Sequence, residues 1–271
     1  MIIHGRCYLD VIPNVLIDLD CSQSEINTHF KKSYGGIANI LTFLQNTDVS
    51  LIFYGSKKSL SDLTNIFKIK IKFFINCGDV EVIILKPINS LSRLSLINKP
   101  QKRYETHTTN IISPQDLESQ VIFYLESIPY KIQKLKSRVI TIFNGGQELI
   151  PKDIFDHNIY LTDILISSNE SFQNLDVMYQ KKLKDSNKTF IIHNPESVLI
   201  QKNGKTTLVQ NEYYDTQLNQ WAIGAGDYFS LKISQILDAD RESVSIPYLV
   251  ECVKSACKES AQFLREKTKD N

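Results

Sequence analysis

The sequence predicts an α/β protein whose mainly parallel sheet is covered by helices on both faces, with a small β appendage. Three observations predict it. Short β-rich runs alternate with helical patterns along the chain. Several of those runs are apolar on consecutive positions, as in parallel strands buried on both faces. Two stretches, 13–32 and 197–210, break the alternation with strand-like patterning of their own.

Taken in order, the β-rich runs are MIIHGRCYLDVI (1–12), VSLIFYG (49–55), VEVIILKP (80–87), SRVITIFN (137–144), DILISS (163–168) and KTFIIHN (188–194). In GGIANILTFLQN, Ile37, Ile40, Leu41 and Leu44 follow the i, i+3, i+4, i+7 spacing of one helix face. SPQDLESQVIFYLES (113–127) opens with Ser113 and Pro114, a cap and a first-turn proline, and predicts a second helix. A third follows Gly224-Ala225-Gly226-Asp227, with Phe229, Ile233, Ile236 and Leu237 as its inner face. The last runs from about Pro247 to Arg265, with Leu249, Val253, Ala256, Ser260 and Leu264 down one side. Asn203-Gly204 joins two strand-like runs in SVLIQKNGKTTLVQ, a strong hairpin signal. In PNVLIDLDCSQSEINTHFKK (13–32), Ile17 and Leu19 alternate with Asp18 and Asp20. A single domain over 1–271 is expected, with a β appendage built from about 13–34 and part of 68–100.

Composition narrows the function. The 271 residues are 42% hydrophobic and 23% charged, ordinary for a globular chain able to bury a full core. A formal net charge of +1 gives no bulk electrostatic case for nucleic acid or membrane partners. No apolar run approaches the roughly 20 residues of a membrane span. The N-terminal run lacks a secretory pattern and reads as a first strand. Five cysteines, an odd number without C-x-x-C spacing, predict reduced thiols and a cytoplasmic setting. The five histidines show no metal-ligand spacing and read as surface or strand-end residues.

The chemistry concentrates at Gly224-Ala225-Gly226-Asp227. Amides at a helix N-terminus have no intrahelical acceptor, and the helix dipole there favours negative charge. Small residues let that backbone approach a phosphate, and a carboxylate alongside can take a proton from an attacking hydroxyl. The same tetrapeptide also reads as a glycine turn with Asp227 as a helix cap. Upstream, Gly35-Gly36-x-x-Asn39 opens a helix, and Asp10 stands at the end of the first strand.

GAGD followed by x-F near the C-terminus, GG-x-x-N near the start and Asp10 before it together resemble the ribokinase-like (PfkB) carbohydrate kinases, over essentially the whole chain. The resemblance implies a ribokinase-like three-layer sandwich with a small β-sheet lid. It implies Asp227 as catalytic base, with Gly224, Ala225 and Gly226 as anion hole. It implies Asp10, Gly35, Gly36 and Asn39 as the sugar site, and ATP with Mg2+ as cofactors. Lid-to-lid homodimers occur in that family, and the resemblance admits one here. KPINSLSRLSLINKPQKRYE (86–105) is further similar to a stretch of bacterial heptose 7-phosphate kinases. There Arg93 and Arg103 would bind a substrate phosphate, although Ile88 stands where those kinases have threonine; both arginines also read as solvated strand-edge residues.

The departures fall on the nucleotide half. Trp221, Ala222 and Ile223 replace the Asp-Thr-Thr tied to a monovalent cation. Ile192-His193-Asn194-Pro195-Glu196-Ser197 replaces T-x-G-x-x-G, leaving Asn194 as the nucleotide-loop match. Asn169 matches the start of the magnesium-organising N-x-x-E, but Phe172 holds the glutamate position and Glu170 is the neighbouring carboxylate. Leu231 and Lys232 replace small residues after GAGD. Two functions remain: a kinase of sugars or sugar phosphates with an altered nucleotide site, and a catalytically silent homologue that binds such a ligand in a regulatory or scaffolding role.

Overall fold

The computed structural model describes residues 1–13, 30–44, 50–67, 71–76, 80–85, 94–98, 121–125, 140–145, 162–173, 177–184, 187–216, 224–240 and 244–269. In chain order the strands are β1 (Ile2–Pro13), β2 (Phe30–Gly36), β3 (Ser50–Gly55), β4 (Ile71–Asn76), β5 (Val80–Leu85), β6 (Leu94–Asn98), β7 (Val121–Tyr124), β8 (Ile140–Gly145), β9 (Ile164–Ser168), β10 (Thr189–His193), β11 (Ser197–Lys202) and β12 (Lys205–Gln210). The helices are α1 (Ile37–Phe43), α2 (Lys57–Ile66), α3 (Asn169–Gln173), α4 (Val177–Lys184), α5 (Ala225–Ala239) and α6 (Ile246–Lys269).

β1 belongs to two sheets. Its first half pairs in parallel with β3 and β7, so that Ile3 lies opposite both Leu51 and Phe123. Its second half pairs antiparallel with β2 and parallel with β5, and β6 adds antiparallel to β5. The main sheet runs β12-β11-β10-β9-β8-β7-β1-β3-β4, parallel from β4 to β10 and antiparallel in the β10-β11-β12 meander. The smaller sheet therefore grows from the carboxyl end of β1, an interior strand of the larger one. Chain order runs outward in both directions from β1 and β7, which makes their carboxyl ends the switch point where open α/β sheets form a crevice.

Consecutive burial explains why these runs are strands. Ile164, Leu165, Ile166 and Ser167 in β9 are all buried, and successive side chains of a strand face opposite ways, so both faces of the sheet are covered. β11, nearer the edge, alternates buried and partly exposed positions instead. Its turn into β12 places Asn203 and Gly204 at φ 49° and 73°, the left-handed pair that the hairpin signal predicts. α5 buries Phe229, Leu231, Ile233 and Leu237, and α6 buries Leu249, Val253 and Ala256. Among the described residues no helix is long and apolar enough to cross a membrane.

One sequence expectation changes. Of the helix expected over 113–127, Val121–Tyr124 is instead β7, with Val121 and Phe123 fully buried in the main sheet, and 113–120 and 126–127 lie outside the described residues. The run Val121-Ile122-Phe123-Tyr124 is β-branched and aromatic, which favours a strand. Within 68–100, Ile71–Asn76 extends the main sheet beside β3, whereas β5 and β6 join the smaller one. Residues 14–29 of the expected appendage lie outside the described residues.

Candidate active site

β2 supplies the first part of the site. Tyr8 lies opposite Gly35 and Asp10 opposite Ser33, so the Asp10 carboxyl group reaches diagonally across Gly35. A methyl group at Gly35 would fall within 2.7 Å of both Cγ and Oδ1 of Asp10. Only glycine lets β2 lie under that carboxylate, which is itself 8% exposed. Tyr34 anchors the approach from the other side, donating its hydroxyl to Asp62 of α2 at 2.5 Å. Gly36 then turns the chain into α1 at φ 61°, a left-handed conformation that favours glycine. α1 docks on β1 where a Cβ at Gly5 would come within 3.1 Å of the Ile37 Cβ.

The turn at Gly36 aims Asn39 at the second glycine element. Gly224 caps α5 at φ 83°, and a Cβ there would lie 3.5 Å from Cγ and Nδ2 of Asn39. Residues 185 positions apart thus meet across the start of α5. The first helical bond runs from the Tyr228 amide to the Gly224 carbonyl at 2.9 Å. The amides of Ala225, Gly226 and Asp227 precede it and have no acceptor four residues back within the helix. Asp227, half-buried, sits in this first turn.

The direction of α5 places this turn in the crevice. Asp238, near the far end of the helix, accepts the Val121 amide at the start of β7 at 3.0 Å. α5 therefore runs antiparallel to β7, and its N-terminus lies toward the carboxyl ends of the strands. His193, the last residue of β10, confirms that placement: its Cε1 would be 3.3 Å from a Cβ on Gly226. Phe229 holds the imidazole from below, with ring centroids 5.1 Å apart. Loss of solvent pushes the His193 pKa down to about 4, although part of its surface stays open.

The nucleotide-loop matches are arranged differently. The turn between β10 and β11 closes on itself, with the Glu196 and Ser197 amides donating to Asn194 Oδ1 at 2.8 and 2.7 Å. The Asn194 amide donates to the Ser197 carbonyl, and Asn211 locks the turn through the Pro195 carbonyl. Asn169 starts α3 and accepts from the Gln173 side chain. Glu170 is exposed beside it, while Phe172 is buried at 6% exposure with the Lys184 ammonium 6.0 Å from its ring. Leu231 is fully buried, and Lys232 turns away to pair with Glu259 at 2.8 Å. Arg93, Arg103 and Trp221-Ala222-Ile223 lie outside the described residues. Contacts thus join Asp10 to Gly35 and Asn39 to Gly224, while Asn194 follows the carboxyl end of β10 and Asn169 and Glu170 follow that of β9.

An anionic phosphate fits the cradle at α5, where small residues, a left-handed glycine and unladdered amides coincide. A buried phenylalanine stands at the expected ligand position, and among the described residues no three His, Cys, Asp or Glu side chains gather into a metal-binding group.

No family model and no curated protein matches the sequence. Solved structures do match the fold. A sugar kinase from Pyrococcus horikoshii, in complex with ATP, is 17% identical with a TM-score of 0.64, covering 98% of this chain and 92% of its own. Ribokinase from Giardia lamblia is 11% identical with a TM-score of 0.63, over 96% and 92%. Fructokinase from Xylella fastidiosa, with bound ATP, is 10% identical with a TM-score of 0.62, over 98% and 93%. The chain has the ribokinase-like fold.

Proposed function

We propose that this protein transfers the terminal phosphoryl group of ATP to a hydroxyl of a sugar or sugar phosphate. The observation that carries the reading is the meeting of Asn39 with Gly224, which joins a hydroxyl-binding element to an anion cradle beside a carboxylate. The matching fold, which includes two structures that hold ATP, supports it.

In this reading Asp10 and Asn39 orient the acceptor over the Gly35-Gly36 turn. As the acceptor oxygen bonds to the γ-phosphorus and the bond to the β-phosphate oxygen breaks, Asp227 takes the hydroxyl proton and ADP departs. The amides of Ala225, Gly226 and Asp227 meet the charge on the transferring group. The four-stranded sheet of β2, β1, β5 and β6 acts as a lid that excludes water. Magnesium, where it takes part, comes on the nucleotide phosphates, since such ions keep several waters and lean on substrate oxygens.

Turnover of ATP against a panel of sugars and sugar phosphates tests the reading. One acceptor is expected to turn over, and Asp227→Asn to lower kcat by about 10²- to 10⁴-fold while leaving acceptor binding in place. A second reading, a silent binder of a sugar or sugar phosphate, is favoured by the self-closed turn at 194–197 and by Phe172. A calorimetric titration that finds acceptor binding but no ATP binding would decide for it.

A further inference from the structure

The turn after β10 offers nothing to a phosphate from its own backbone. Asn194 and Ser197 are joined amide to carbonyl, Pro195 has no N–H, and the Glu196 and Ser197 amides both go to Asn194 Oδ1. A glycine loop presents free amides at this place, and here each is taken or missing. The residue just before the turn points the other way. The His193 ring lies against Gly226, with Cε1 and Nε2 at 3.3 and 3.7 Å from where a Cβ would stand. Gly226 carries one of the amides of the anion cradle, so the ring borders the same space as that cradle. Phe229 fixes the imidazole plane, and among the described residues neither ring nitrogen has a hydrogen-bond partner.

We propose that His193 is the phosphate-binding donor of this loop, its imidazole N–H filling the role that the turn amides cannot. The inference rests on the kinase reading above and assigns a residue to the nucleotide half of that site. Near neutral pH the ring is uncharged, because burial lowers its pKa, and a neutral imidazole has one N–H to give. A side-chain donor at this position makes a glycine loop dispensable: the backbone need not approach the phosphate when a ring reaches it. A side chain at Gly226 would crowd the imidazole, since its Cβ would stand 3.3 Å from Cε1.

Two substitutions separate hydrogen bonding from packing. His193→Phe keeps a flat ring between Gly226 and Phe229 but has no donor. His193→Gln keeps an N–H donor without the ring. Calorimetric titration with ATP is expected to show about tenfold weaker binding for His193→Phe, the usual loss for one hydrogen bond to a charged group. His193→Gln is expected to stay within about threefold of the unsubstituted protein. KM for ATP should follow the same order while KM for the acceptor holds in both. His193→Leu serves as the donor-free variant should phenylalanine unfold the strand end. Unchanged ATP binding in the donor-free protein overturns the inference, as does an equal loss in the glutamine variant, which would assign the effect to packing. Failure of the unsubstituted protein to bind ATP overturns the kinase reading and this inference with it. Normal ATP turnover that ignores the imidazole overturns this inference alone.

Discussion

Gly35 shows how much of the site turns on one missing methyl. Its Cα lies under the Asp10 carboxyl group, and a Cβ would overlap Cγ and Oδ1 at 2.7 Å. Asp10 is held in β1 and largely buried, so it has little room to retreat. Gly35→Ala is expected to cost about 1–3 kcal/mol of stability, as overpacking generally does, and to weaken acceptor binding beyond what the stability loss explains. Urea unfolding and acceptor titration on the same variant check both parts. Gly224 differs in kind. The space beside it is of ordinary width, with Asn39 at 3.5 Å, and its constraint is the left-handed φ of 83°. Alanine there strains the backbone that presents the amides instead of colliding with a neighbour.

At the scale of elements, short helices carry the positioning. α2 is ten residues long and holds Tyr34 through Asp62, yet its interior buries only Ser59 and Leu63. It depends on its cap: Ser56 Oγ accepts the Ser59 amide at 3.0 Å. Ser56→Ala is expected to cost about 1 kcal/mol, a fall in Tm of about 2–4 °C for a chain of this size. Thermal unfolding followed by circular dichroism measures it, and no shift would mean that α2 does not rely on the cap. α5 and α6 are built otherwise. Phe43 of α1, Tyr228 of α5 and Phe263 of α6 pack ring on ring, at centroid distances between 4.4 and 5.1 Å. That cluster fixes the start of α5, and hence the anion cradle, against both neighbouring helices.

At the scale of the whole molecule, β1, the strand shared by both sheets, carries a buried base. His4 in β1 is 1% exposed, and burial lowers its pKa from 6.5 to about 3. The folded protein therefore holds fewer protons than the unfolded chain between those values, and stability rises with pH through that window. The contribution is present in full above about pH 6.5 and is lost as pH falls toward 3. His193 acts in the same direction down to about 4. From His4 the slope is at most about 1.4 kcal/mol per pH unit. Urea midpoints are expected to fall from pH 7 to pH 5, and His4→Asn to flatten that fall even if it lowers stability throughout. An equal slope in the variant would assign the acid sensitivity to other groups.

Sequence alone determined the α/β class, the hairpin at Asn203-Gly204, the capping glycines and the identity of the acid at the start of α5. Each is a local consequence of backbone chemistry: left-handed turns need glycine or asparagine, and buried parallel strands need unbroken apolar runs. Tertiary structure decided the rest. It made Val121–Tyr124 a strand, because an apolar run of four residues is ambiguous until a sheet accepts it. It placed Ile71–Asn76 and Val80–Leu85 in different sheets, which neighbouring partners alone settle. It brought Asn39 to Gly224 and His193 to Gly226, contacts between residues far apart in sequence that no spacing rule encodes. The local steps are written residue by residue, whereas the site is closed by α5 running back along β7, a direction set by packing of the whole core.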